Sequence, residues 1–159
     1  MNAQDLFPLS RIRIDEVYQS RKRVLEVLAG LLADDELNGA NATRIYELLI
    51  ERERLGCTAI GHGIAIPHAR DTQTLRPRGA VIRLTEGVDF GATDGVPTVL
   101  VIGLIIPDES PEHHLHLLSA LASHLREAED RESILQAQSL ERVRALLIEW
   151  LNPLFSTED

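Results

Sequence analysis

The sequence predicts an α/β domain, and three observations carry that expectation. The run Thr98-Val99-Leu100-Val101-Ile102-Gly103-Leu104-Ile105-Ile106 is almost entirely apolar and β-branched, as expected of a strand covered on both faces. Segments with apolar residues at helical spacing lie on both sides of it in the chain. A length of 159 residues, with its 44% hydrophobic content spread along the chain, suffices for one core without help from a metal or a disulfide.

Taken in order, residues 1–10 show no periodicity and read as a loose or docking lead-in. Arg11 to Val17 alternates charged with apolar residues, the pattern of a half-buried edge strand. Ser20 is a candidate N-cap, and Val24, Leu25, Leu28, Leu31 and Leu32 at helical spacing give a helix over about 21–34. Arg21, Lys22 and Arg23 occupy its first turn, where the macrodipole disfavours cations by a few tenths of a kcal/mol each. Either they meet an acidic partner or they form a solvated turn with screened charge.

After the loop 34–39, Asn41 caps a second helix that reaches Arg54 and stops at Gly56. Its stripe of Ile45, Leu48 and Leu49 continues into Arg52. That arginine either points toward whatever follows Thr58, or lays its stem on apolar surface with its head in water.

The stretch that follows invites a chemical reading. Gly61 and Gly63 permit backbone angles closed to other residues, and Ile64, Ala65 and Ile66 can bury as the end of a strand. Pro67 fixes its own φ and pushes Ile66 into an extended conformation. His68 therefore emerges from a stiff mount, as a reacting or binding imidazole would; the plain alternative is an ordinary loop histidine. Residues 71–78 read as a polar loop, Gly79 to Leu84 as a strand and Thr85 to Gly95 as a turn-rich connection, which leaves Thr98–Ile106 as the sheet centre. Ser110 and Pro111 start a helix running to about Arg126. Two more helical segments lie near 130–137 and, capped by Ser139, over 140–151, with Val143, Leu146, Leu147 and Trp150 on one side. The tail from Asn152 to Asp159 reads as frayed or mobile.

Composition narrows the function. A net charge of −9 argues against a nucleic-acid binder, which needs a basic stripe, and suits a protein partner with a basic face. No apolar run approaches the roughly 20 residues of a membrane helix, and the N-terminus lacks the basic and apolar segments of a secretory signal, so a cytoplasmic location without membrane insertion is expected. With Cys57 as the one cysteine, neither an intrachain disulfide nor a thiolate metal cluster can form.

Four histidines fall in one helical segment: His113, His114, His116 and His124. Helical geometry puts His114 on the side of Leu117, Leu118 and Leu121, facing inward, whereas His116 and His124 align with Ala120 and read as solvated. His113 and His116 are three apart, but they lack carboxylate or cysteine companions at ligand spacing, so no metal is expected. No Gly-x-Ser-x-Gly marks a hydrolase, and Gly61-x-Gly63 has neither the third glycine of a dinucleotide fold nor a P-loop ending. What remains is His68, His114 and Arg52, which together make a phosphate site with a nucleophile. A neutral imidazole nitrogen can attack phosphorus, Arg52 can supply planar charged donors, and alignment with charge neutralisation does the rest without metal or cofactor.

The string Gly61-His62-Gly63-Ile64-Ala65-Ile66-Pro67-His68, preceded by Arg52-Glu53-Arg54-Leu55-Gly56-Cys57-Thr58, resembles the type-2, mannitol- and fructose-like enzyme IIA domains of the bacterial phosphoenolpyruvate-dependent phosphotransferase system, within it the nitrogen-regulatory (Ntr) branch. The resemblance implies one domain over residues 1–159, with a core of about 11–151: a three-layer α/β/α sandwich around a mixed, mainly parallel sheet. It implies that His68 is phosphorylated by an HPr-type (Ntr-type) phosphocarrier, that His114, opening a His-Leu-x-x-Leu run, orients the phosphorylated ring, and that Arg52 clamps the phosphate. Thr58, Gly61, His62, Gly63 and Pro67 would line the pocket. The implied output is phosphorylation-dependent binding to regulatory targets such as ion-transport regulators or sensor kinases. Three residues depart from the usual Ntr pattern: His62 stands where asparagine is common, Ala69 where glycine is common and Cys57 where serine is common. His62 is thus either a third imidazole at the pocket lip or a plain loop substitution. Two other outputs stay open, a sugar-branch enzyme IIA that passes phosphate to a IIB domain and a non-catalytic anion-binding module.

Overall fold

The computed structural model describes residues 3–33, 40–108 and 111–155, the side chains of 40, 41 and 111–114 excepted. The apolar run forms β6 (Thr98–Pro107), and the rest of the sheet is built on it. On one side β6 pairs antiparallel with β5 (Arg78–Val88), whose far edge carries β1 (Ile12–Glu16) in parallel. On its other side lie two short parallel strands, β3 (Ile64–Ala65) and then β4 (His68–Asp71), and β2 (Ala59–Gly61) pairs antiparallel with β3. Among the described residues the resulting mixed sheet has six strands, with β1 at an edge as the alternating pattern predicts.

The period of two along β6 decides what each layer holds. Leu100, Ile102, Leu104 and Ile106 face α1 (Ala3–Leu6), α4 (Pro111–Arg126), α5 (Ala128–Gln136) and α6 (Leu140–Phe155). Val101 and Ile105 face α2 (Arg21–Leu32) and α3 (Ala40–Leu55). These β6 side chains are all within 4% of full burial, and each contributes about 1.5–3 kcal/mol relative to an exposed position. This is the expected three-layer arrangement. Gly103 lets α2 approach, because a Cβ there would lie 2.6 Å from a Leu28 methyl. Ser20 and Ser139 cap α2 and α6 through the amides of Arg23 and Arg142. No described helix is long and apolar enough to cross a membrane.

Five expectations change. Residues 3–10 dock firmly, residues 1 and 2 lying outside the described residues: α1 and a 3-10 turn over Leu9–Arg11 bury Ala3, Leu6 and Phe7. Arg144 donates to the carbonyls of Phe7 and Gln4, and the Phe7 ring fills the space left by the missing Cβ of Gly79. A four-residue helix is too short to show a period. Helix α3 already includes Ala40, so Asn41 lies inside it; the loop 34–39 and Ser110 lie outside the described residues. Lys22 and Arg23 are exposed, as a solvated turn has it, whereas the partly exposed Arg21 pairs with Glu53 and lies over the Phe90 ring, 5.6 Å from the centroid. Strand structure also extends further than the pattern suggests, to Asp71 in β4 and to Val88 in β5. Finally, α6 runs on through Pro153 to Phe155, because Leu154 and Phe155 pack on the core; residues 156–159 lie outside the described residues.

Candidate active site

The glycine-rich stretch becomes a hairpin followed by a stiff bridge. Ile64 and Ala65 register with Leu100 and Val101, and after Pro67 the chain rejoins β6 with His68 opposite Leu104. The bridge is fixed from both sides: the Ile66 amide donates to the Thr58 carbonyl (3.0 Å), and the Leu104 amide donates to the Pro67 carbonyl (3.0 Å). The stiff mount expected for His68 is the first residue of a strand rather than a loop.

The half-buried imidazole of His68 places Nδ1 2.8 Å from the carbonyl oxygen of Ile66. A carbonyl only accepts, so Nδ1 carries the proton and Nε2 of the neutral ring keeps its lone pair. Burial is the main influence on the ring and lowers its pKa from the ordinary 6.5; the nearby Arg52 and Arg70 charges act the same way, against the Ile66 carbonyl and the Glu53 carboxylate. At neutral pH the ring is uncharged.

His68 opens onto a cavity of about 430 Å³ between α3 and α4. Leu48, Leu55, Ile106 and Leu118 form its apolar wall, and Arg52 and Arg70 bring two guanidinium groups to it. Arg52 donates through Nη1 to the Gly56 carbonyl (2.9 Å), which ties it to the end of its own helix. Arg70 follows His68 by two residues on β4, which puts it on the same face. Its signal was present in the sequence, but the period of two applies only once residues 68–71 are read as a strand.

Beside the cavity, Glu53 accepts from Thr58 Oγ1 and from Arg21 with its buried carboxylate. It thereby joins the end of α3 to the start of α2 and to the entry of β2. Thr58 is spent on this contact and is absent from the cavity wall. Pro67 is buried behind His68. Gly61, His62 and Gly63 also lie elsewhere. All three have positive φ, at 90°, 59° and 83°, and they form the β2–β3 turn. The His62 amide donates to Asp94 (2.8 Å), and the Gly63 carbonyl accepts from Val99 (2.8 Å) and Leu100 (3.0 Å). That turn sits at the start of β6, four residues from the level of His68, so His62 is no third imidazole at the lip. Its left-handed φ is one that histidine, like asparagine, adopts more readily than most residues. Cys57 is exposed and donates to the Phe90 carbonyl (2.9 Å).

Among the helix α4 histidines, His116 is exposed as expected. His124 is not simply solvated: it contacts Asp130 through Nδ1 (2.7 Å) and stacks on Trp150, with ring centroids 5.0 Å apart. The side chains of His113 and His114 lie outside the described residues. Leu115 and Leu118, from the same first turns of α4, line the cavity.

Comparison with known proteins agrees with this fold. Residues 5–150 match the family model for "Phosphoenolpyruvate-dependent sugar phosphotransferase system, EIIA 2". A nitrogen regulatory protein of Pseudomonas aeruginosa is 41% identical over 133 residues, 84% of this chain and 86% of that protein. A fructose-specific EIIA component of Haloferax volcanii is 34% identical over 146 residues, 89% of this chain and 92% of that one. The crystal structure of the nitrogen regulatory protein IIA-Ntr from Neisseria meningitidis superposes with a TM-score of 0.84 at 38% identity, covering 89% of this chain and 96% of the other.

Proposed function

We propose that this chain, which belongs to the type-2 EIIA family of the phosphoenolpyruvate-dependent phosphotransferase system, carries a phosphoryl group on Nε2 of His68 and uses it mainly as a regulatory signal in the cytoplasm. The observation that supports this most directly is the bond from Nδ1 to the Ile66 carbonyl, which leaves Nε2 as the free nucleophile in a cavity flanked by arginines. In the transfer, the Nε2 lone pair forms a bond to phosphorus as the bond to the donor imidazole of an HPr-type phosphocarrier breaks. The chain's contribution is alignment and charge: Arg52 offers its fork to the phosphoryl oxygens, and His114, on the first turn of α4, orients the phosphorylated ring. Regulation of protein partners follows from the charge gained, close to two negative units at neutral pH. The relatedness to nitrogen regulatory proteins supports that output.

The fructose-specific relative supports a second reading with the same chemistry, in which the phosphoryl group passes on to a IIB domain for sugar uptake. Incubation with phosphoenolpyruvate, enzyme I and Ntr-type or sugar-type carriers tests both readings. The expected product is acid-labile phosphate on His68, absent from His68→Ala. It should form about 100-fold more slowly in Arg52→Ala, the scale for losing one preorganised donor to a developing anion, and more slowly in His114→Ala. Labelling of His68→Ala at the wild-type rate would overturn the proposal. Chase of the label onto a IIB domain selects the sugar reading. Phosphate binding without labelling by any carrier selects an anion-binding module.

A further inference from the structure

The sheet has an open edge at His68. Along β4 the carbonyls that face β6 belong to odd-numbered positions: Pro67 accepts from Leu104, and Asp71 accepts from Asp108. Backbone groups alternate in direction along a strand, so the amides and carbonyls of His68 and Arg70 point the other way. Ile66 follows the same rule, and there the outer side is taken: its amide donates to Thr58 at the end of the β2 line, and its carbonyl accepts from the His68 ring. Beyond Thr58 the chain turns away through Gly56 into α3. Among the described residues nothing pairs with the outer amides and carbonyls of His68 and Arg70.

We propose that β4 is an acceptor edge for a target protein: an extended segment bearing acidic and apolar side chains adds to the sheet beside His68 and Arg70, continuing the line of β2. The edge offers two N–H and two C=O groups, and strand addition takes its affinity from such groups and its selectivity from pockets for alternate side chains. The surface beside the strand supplies them. Leu55 is 86% exposed and Leu115 49% exposed at the cavity beside the strand, so apolar side chains of the segment have surface to cover. Arg70 has no hydrogen-bond or ion-pair partner among the described residues, and Arg52 spends one donor on Gly56. Two cations beside an edge in a chain of net charge −9 repel a basic segment and admit an acidic one. A charged side chain on an edge usually blocks pairing; here its sign selects the strand. The switch rests on the phosphoryl-carrier reading, because a phosphoryl group on His68 puts negative charge where the acidic segment lies, whereas the edge itself does not depend on that reading.

The test is selection from a library of random eight-residue peptides on the immobilised, unphosphorylated protein, followed by amide hydrogen exchange with the enriched peptides. The expected peptides alternate acidic and apolar residues, slow exchange at the His68 and Arg70 amides, and lose at least tenfold in affinity when their own backbone is N-methylated. Arg70→Pro removes the outer amide while sparing the bonds to β6, and should lose binding; the N-methylated peptides ask the same question of the wild-type chain should that variant not fold. Phosphorylated protein should bind at least tenfold more weakly. Peptides that bind equally well when N-methylated, leave both amides exchanging as before, or lack acidic residues would overturn the inference. So would a failure to enrich any peptide. If a carrier labels His68 and no such peptide is found, the edge falls and the carrier reading stands; if peptides protect the edge and no carrier labels His68, the reverse holds.

Discussion

At His68 burial and the arginine charges outweigh the Ile66 carbonyl and the Glu53 carboxylate, so the folded ring titrates below 6.5. The acceptor form is the neutral ring. The labelling rate should therefore stay level as pH falls to 6.5 and decline only below it, with the midpoint checked by NMR titration of the His68 ring. A midpoint at or above 6.5 would contradict the account. Stability carries the same sign: between the lowered folded pKa and the unfolded 6.5 the unfolded chain binds more protons, so this group makes stability rise with pH through that window and fall as acid is added. Much of this residue was legible beforehand, because Gly61-x-Gly63 and Pro67 constrain the backbone on their own. Glu53 was not. Its role depends on Arg21 and Thr58, which meet it only after α2, α3 and β2 have packed, and nothing local in the sequence marks a carboxylate as buried.

At the scale of elements, β6 could be read from composition alone, since a run with no polar alternation has to be covered on both faces. The helix faces followed from spacing, as Val143, Leu146, Leu147 and Trp150 on α6 show by their burial. Strand β4 could not be read, because His-Ala-Arg-Asp has no strand character until β6 supplies its partner. Its far end is held by tertiary contacts too: buried Asp71 accepts from Arg44 Nε (2.8 Å), from Thr74 (2.7 Å) and from the Gln73 amide (3.2 Å), and these donors hold the Asp71 carboxyl below its ordinary 3.8 although burial pushes it up. The tightest fit between layers is at Gly103. Gly103→Ala should drive a methyl into Leu28 and cost about 1–3 kcal/mol, the scale for overpacking a closed core, measured by urea unfolding. A change under about 0.5 kcal/mol would show that α2 can shift off the sheet freely.

For the molecule as a whole, a surplus of nine negative charges sets the approach of partners. Encounter with a carrier that presents a basic face is faster than for neutral surfaces, and salt screens it over about 10 Å at 0.1 M. The second-order rate constant of labelling should accordingly fall several-fold between low and physiological ionic strength; indifference to salt would mean that contact geometry alone governs the encounter. The docking of Gln4 and Phe7 against Arg144, across 140 and 137 positions of sequence, has a different kind of consequence. The first helix has only part of its seat, against β5, until α6 exists, so during synthesis on the ribosome its greasy residues wait for α6 to emerge. A nascent chain arrested before α6 would leave Leu6 and Phe7 incompletely covered and open to chaperones, and closure of α1 on α6 would follow the formation of the sheet.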